Sequence, residues 1–186
     1  GSNTAVGALA LDANTTASDN TAVGTNALGA NTTGNSIVAV GKNALLTTTT
    51  TSNLTAVGFE AGKANTTGTS LVALGYKALT ANTTGAGNVG IGRDALLANT
   101  EGGSNTAVGT NSLEDNTTGT SNTAVGYNAL MNNTTADFNV AVGKHSLKDN
   151  TTGEKNVAMG TEALYVNTTG ASNVAIGNAA LDANTE

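Results

Sequence analysis

The sequence predicts an all-β protein, a parallel β-solenoid of eleven 17-residue coils in a single repetitive domain spanning residues 1–186. Three observations carry that prediction. Glycines that follow a small apolar pair stand at Gly7, Gly24, Gly41, Gly58, Gly75, Gly92, Gly109, Gly126, Gly143, Gly160 and Gly177, always 17 residues apart, with no insertion between copies. Seventeen residues are too few for the two helices that each repeat of a helical solenoid needs. Proline is absent, and proline would remove a ladder donor from any coil that held it.

The unit reads N-T-A-V-G-x-x-A-L-x-x-N-T-T-G-x-x, and each part of it predicts an element. The segment from Asn to Val is a short strand, with period-two alternation of side chains. A turn follows at the glycine, which adopts positive φ without steric cost. A second short strand is expected around Ala-Leu, and a return turn at Asn-Thr-Thr-Gly, where Asn also tolerates positive φ. The Asn-Thr-Thr triplet recurs intact at Asn14, Asn31, Asn65, Asn82, Asn116, Asn133, Asn150 and Asn167.

The expected core consists of two columns. The first stands before the turn glycine: Val6, Val23, Val40, Val57, Leu74, Ile91, Val108, Val125, Val142, Met159 and Ile176. The second stands four residues after it: Leu28, Leu45, Leu79, Leu96, Leu113, Leu130, Leu147, Leu164 and Leu181. One coil buries only a few such side chains, each contributing about 1.5–3 kcal/mol. Ordering its backbone costs about 1–2 kcal/mol per residue, so stability has to come from stacking at ~4.8 Å and from ladders of Asn and Thr. The strand presents apolar or small residues on both faces. A thin coil has one interior, so the other face is expected to meet another chain.

Composition excludes several functions. Without cysteine there is neither a disulfide framework nor a thiolate zinc site. Seven basic and 13 acidic residues give a net charge of −6, which argues against nucleic acid as a partner. No apolar run approaches the roughly 20 residues of a membrane span, so this segment is not expected to insert into a membrane. Leu, Val, Ile and Phe make up only 35 of 186 residues, but the high net charge of a disordered chain is also missing.

No catalytic constellation and no cofactor motif emerges, so an enzyme is not expected. His145 stands in a column that also holds Asn26, Glu60, Lys77, Asp94 and Asn128, which reads as a solvated variable position. No acidic column of the kind a calcium β-roll repeats is present, and no metal site is expected. The Asn-x-Thr sequons follow from the repeat and read as ladder residues. Any binding function falls to the variable columns, where Phe59, Tyr76, Tyr127, Phe138 and Tyr165 are candidate surface residues for stacking on a sugar or anchoring a partner.

The segments N-T-A-V-G and N-V-A-I-G, the latter Asn173 to Gly177, resemble the N-S-V-A-I-G strand motif of YadA-like heads in trimeric autotransporter adhesins. The whole unit is also similar to repeats of phage tail fibres and bacterial surface fibres, although the autotransporter head repeat is usually a little shorter. The resemblance implies a left-handed β-roll, a homotrimer, an extracellular place on a cell surface or virion fibre, and attachment to a glycan or protein receptor. The competing expectation is an ice-binding β-solenoid with Thr and Asn ladders. Against it, adjacent threonines of Asn-Thr-Thr alternate between faces.

Copies three and four depart most from the unit. Thr47 to Thr51 replace the usual turn, Gly62 replaces the core Leu, and Leu54 and Leu71 replace Asn. A local change of cross-section or of inter-chain contact is expected there. The repeat reaches Glu186 without a distinct cap, which suggests a piece of a longer fibre.

Overall fold

The computed structural model describes residues 1–185; Glu186, the last residue of the expected domain, lies outside the described residues. Eleven three-residue strands run from β1 (Thr4–Val6) through β2 (Thr21–Val23), β3 (Val38–Val40), β4 (Thr55–Val57), β5 (Val72–Leu74), β6 (Val89–Ile91), β7 (Thr106–Val108), β8 (Thr123–Val125), β9 (Val140–Val142) and β10 (Val157–Met159) to β11 (Val174–Ile176). They form one sheet in sequence order. Every pair is parallel and in the register of the repeat, as in Ala22↔Ala39 and Ala124↔Ala141. Among the described residues there is no helix, and the chain is a β-solenoid.

All eleven turn glycines have φ between +124° and +142°, a region that only glycine occupies readily. They also stack closely. A Cβ on Gly58 would collide with the carbonyl oxygen of Gly75, so the turn column admits no side chain.

The structure corrects the expected second strand. After the turn glycine the chain makes consecutive turns, with left-handed residues two and four places on, such as Asn26 at φ 58° and Leu28 at φ 52°. A third left-handed position precedes the strand-leading Asn, as at Ser36 (φ 57°) and Ser121 (φ 57°). A narrow 17-residue coil has to curve back on itself, and a straight second strand leaves too few residues for that. Hydrogen bonding between coils nevertheless continues around the circumference: Gly41 N donates to Val23 O at 2.7 Å, Leu28 N to Ala44 O at 2.9 Å, and Thr32 N to Thr49 O at 2.7 Å.

The core also differs from the expected one. Only the middle residue of each strand points inward, and Ala22, Ala39, Ala107, Ala124, Ala141 and Ala158 are fully buried. They meet the Leu column, as shown at the one copy with glycine in the Ala place: a Cβ on Gly90 would lie 3.2 Å from Leu79 Cγ. A larger side chain does not fit that bore. The column before the glycine therefore points outward. Val6, Val57, Val125, Met159 and Ile176 are exposed, and Val23, Val40, Leu74, Ile91, Val108 and Val142 are half-buried. Leu28, Leu45, Leu79, Leu96, Leu113, Leu130, Leu147 and Leu164 are buried, whereas Leu181, with no coil stacked beyond it among the described residues, is 50% exposed.

Buried asparagines complete the interior in two ladders. Asn99, Asn116 and Asn133 pass hydrogen bonds from coil to coil, Asn116 Nδ2 donating to Asn99 Oδ1 at 2.7 Å and to Gly119 O at 3.0 Å. The strand-leading asparagines form the second ladder, Asn105 Oδ1 accepting from Asn122 N at 2.9 Å and its Nδ2 donating to Gly119 O at 2.8 Å. These asparagines are sealed inside, which removes Asn31, Asn65, Asn82, Asn116, Asn133, Asn150 and Asn167 as glycan acceptors.

In copies three and four the strand register continues unchanged, and Gly62 keeps the left-handed φ (59°) of the Leu it replaces. What changes is the interior chemistry. Ile37, Leu54 and Leu71 replace the second Asn ladder with fully buried apolar side chains. Thr48 stands in for Asn, with Asn65 Nδ2 3.5 Å from its Oγ1.

Candidate functional site

Alternation over three residues fixes the outer face of the sheet. Each strand turns its first and third side chains outward, giving two parallel columns eleven residues long. One is Thr or Val, from Thr4 to Val174; the other is the Val column from Val6 to Ile176. Neither column contains a charged residue, although the chain carries 20. At ~4.8 Å per coil the stripe is roughly 50 Å long. It is uncharged, Thr or apolar at every place and half-buried to exposed, a continuous stripe unlike the scattered exposed apolar residues of an ordinary surface.

The residue after the turn glycine lies beside this stripe. Its column includes Lys42, Phe59, Tyr76, Arg93, Tyr127 and Lys144, with no acidic residue in any copy. Parallel register brings Phe59 and Tyr76 together as a stacked pair, centroids 5.4 Å apart and planes at 13°. Lys77 Nζ sits 5.4 Å from the Tyr76 ring.

A second group forms in copies eight to ten. His145 lies between Tyr127 and Tyr165, at centroid distances of 5.5 and 5.9 Å, and its Nδ1 is 3.6 Å from Glu162 Oε1. Lys148 Nζ contacts Asp149 Oδ1 at 3.2 Å and lies over the Tyr165 ring at 5.1 Å. His145 is therefore packed between rings, and sequence spacing missed this because its ring neighbours come from the preceding and following coils. Phe138 stands apart from both groups, 54% exposed at φ 61°.

The ionisable groups show shifts that follow from these contacts. The hydrogen bond from Lys63 holds Glu60 below its ordinary value, aided by Asn43 and opposed by burial. Burial pushes Glu114 up, and the neighbouring charges of Asp115 and Asp94 push the same way. For Lys148 burial pulls down, but hydrogen bonds to Asp149 and Tyr165 outweigh it and leave the group raised.

Among the described residues no cavity opens into the coil, and no group of three His, Asp or Glu side chains converges as a metal centre. No helix is long and apolar enough to cross a membrane. The surfaces on offer are therefore the apolar strand face and the aromatic and cationic rows at its margin. Compared with family profiles, curated proteins and solved structures, the chain matches none.

Proposed function

We propose that this chain is a structural and adhesive segment of an extracellular fibre, in which three copies pack through their strand faces. The observation that carries this reading is the uncharged double column of 22 strand residues, apolar at every third-position site from Val6 to Ile176, facing outward along the whole stack. Leaving Val, Ile, Leu and Met in water forfeits about 25 cal/mol per Å² of apolar surface, and self-association through identical faces recovers it in a closed assembly. Once that face is covered, the exposed aromatic residues Phe59, Tyr76 and Tyr127 at its margin remain as the contact surface for a cell-surface glycan or protein receptor. The YadA-like strand motif agrees with three copies, with a left-handed roll and with attachment as the biological role.

The ice-binding alternative draws less support. The first Thr of each triplet spends its hydroxyl on the next coil's carbonyl, as Thr32 Oγ1 does on Thr49 O at 3.1 Å, which leaves one free Thr column rather than a flat two-column array. Light scattering after size exclusion tests the assembly. The expected mass is three times 18.1 kDa, and a monomer at micromolar concentration contradicts the trimer.

A further inference from the structure

Among the described residues buried side-chain polar atoms are nearly all paired, and five have no hydrogen-bond partner: Asn14 Oδ1, Asn111 Oδ1, Glu114 Oε2, Asn128 Oδ1 and Asn173 Nδ2. Asn14 Oδ1 lacks the ladder donor because Asn31 Nδ2 in the next coil bonds Gly34 O instead, and Asn173 belongs to the last copy, where a ladder lacks a neighbouring coil among the described residues. Asn173 illustrates this: on the pattern of Asn156 Nδ2 donating to Gly170 O, its acceptor would lie fourteen residues on, past the end of the sequence. The other three stand together in copies seven and eight, in the middle of the stack, and all three are acceptor oxygens.

Two contacts elsewhere in the repeat show how close these positions are. Asn111 and Asn128 share the column in which Asn26 Nδ2 donates to Asn43 Oδ1 at 3.1 Å and Asn43 Nδ2 to Glu60 Oε1 at 3.4 Å. Glu114 follows Asn111 by three residues, the spacing across which Lys63 Nζ meets Glu60 Oε1 at 2.9 Å. Copy four thus places a cation against a carboxylate between these two columns. Copy seven has the acceptors without the ammonium. Asn128, one coil on from Asn111 in the same column, is 9% exposed, and its Oδ1 is buried without a partner. Asp94 precedes Asn111 in the same column, and its side chain is paired with Arg93 at 3.6 Å.

We propose that Asn111, Glu114 and Asn128 form a site for one hard divalent cation of the calcium class, with Asp94 adding negative charge beside it. Carboxylate and amide oxygens without nitrogen or sulfur suit calcium or magnesium rather than zinc. Calcium accepts irregular oxygen sets, whereas magnesium demands near-ideal octahedral geometry and gives up water reluctantly. Burial, Asp115 and Asp94 push Glu114 up, and the nearby Arg93 offsets this only in part. Protonation of Glu114 would make its Oε2 a donor to one of the two amide oxygens and leave the other unpaired. This is a single local site, not a calcium repeat, and it does not depend on how chains assemble.

Calorimetric titration of chelator-treated protein with calcium chloride tests the proposal, alongside the thermal midpoint with and without calcium. One ion per chain and a raised midpoint are expected. Glu114→Gln is expected to weaken binding at least tenfold, and Asn128→Asp to tighten it. Glu154→Gln, a control at a side chain 47% exposed, is expected to leave binding unchanged. Absence of heat and of any midpoint shift up to about 10 mM, beyond the weakest calcium modules, overturns the site. So does equal binding by the wild type and Glu114→Gln, while a magnesium response as strong as the calcium response overturns the assignment to calcium. A monomer that passes these tests leaves the site standing and fails only the proposed fibre.

Discussion

Three columns hold left-handed residues in every copy after the first, and their composition obeys one steric rule. In the places two and four after the turn glycine, and just before the strand-leading Asn, no copy has Val, Ile or Thr, although the chain is rich in Val and Thr. A β-branched side chain is a severe outlier at positive φ, which explains why the core column is Leu and Gly62 and never Ile. Leu113→Ile conserves volume and keeps an apolar core, changes that usually cost under about 1.5 kcal/mol. At φ 49° it is expected to cost at least about 3 kcal/mol by urea denaturation, and a cost under about 1 kcal/mol contradicts the steric account. Phe138, exposed at φ 61°, gives the converse: Phe138→Gly is expected to stabilise the chain by about 0.5–1 kcal/mol, read as a higher urea midpoint. Glu114 adds a pH dependence. A carboxyl raised above its ordinary value of 4.5 favours the fold while protonated and loses that contribution as pH rises through the raised value. In calcium-free buffer, Glu114→Gln is therefore expected to gain thermal midpoint over the wild type between pH 4 and 7, and a gap that stays constant contradicts this.

At the scale of elements, the coil is held by ladders more than by strands. Each strand is three residues long, yet backbone bonds link coils at the strand, at the Leu wall and along the Asn-Thr-Thr turn. Asn116 is fully buried and bonds Asn99, Asn133 and Gly119. Asn116→Ala orphans Asn99 Oδ1, leaves Asn133 Nδ2 only its bond to Ala136 O, and is expected to cost about 2–4 kcal/mol, measured by denaturation and by faster hydrogen exchange in copies six to eight. The turn glycines are equally strict. Gly58→Ala forces a Cβ onto the Gly75 carbonyl at φ +142°, whereas a Cβ at Gly62 meets only the flexible end of Leu45, 2.9 Å away. Gly58→Ala is expected to disrupt the coil and Gly62→Ala to be tolerated within about 1 kcal/mol, compared by thermal midpoint.

The period of 17, the turn glycines and the parallel stacking were legible because each recurs in every copy. The inward face of the strand was not. Val and Ala both look like core residues in a list of apolar positions, and size decided between them: the bore admits Ala opposite Leu and excludes Val. The absence of β-branched residues from the places two and four after the turn glycine was the readable sign that this segment turns rather than extends. Contacts between coils, such as His145 between Tyr127 and Tyr165, arise from stacking and have no counterpart in local sequence.

For the whole molecule, the reversed placement of Val and Ala makes the outer stripe the dominant unsolved surface, and its coverage by other copies is the central claim. The absence of cysteine allows a direct test by thiol labelling of two single variants. Val108→Cys places a thiol on the strand face, and Thr118→Cys places one on an exposed turn of the same region. At micromolar concentration, Val108→Cys is predicted to react at least about tenfold more slowly than Thr118→Cys, and its protection should vanish when assembly is broken by dilution or by Val125→Lys on the same face. Equal labelling rates at the two positions in undiluted protein would contradict the account, since they would leave the apolar stripe open to water.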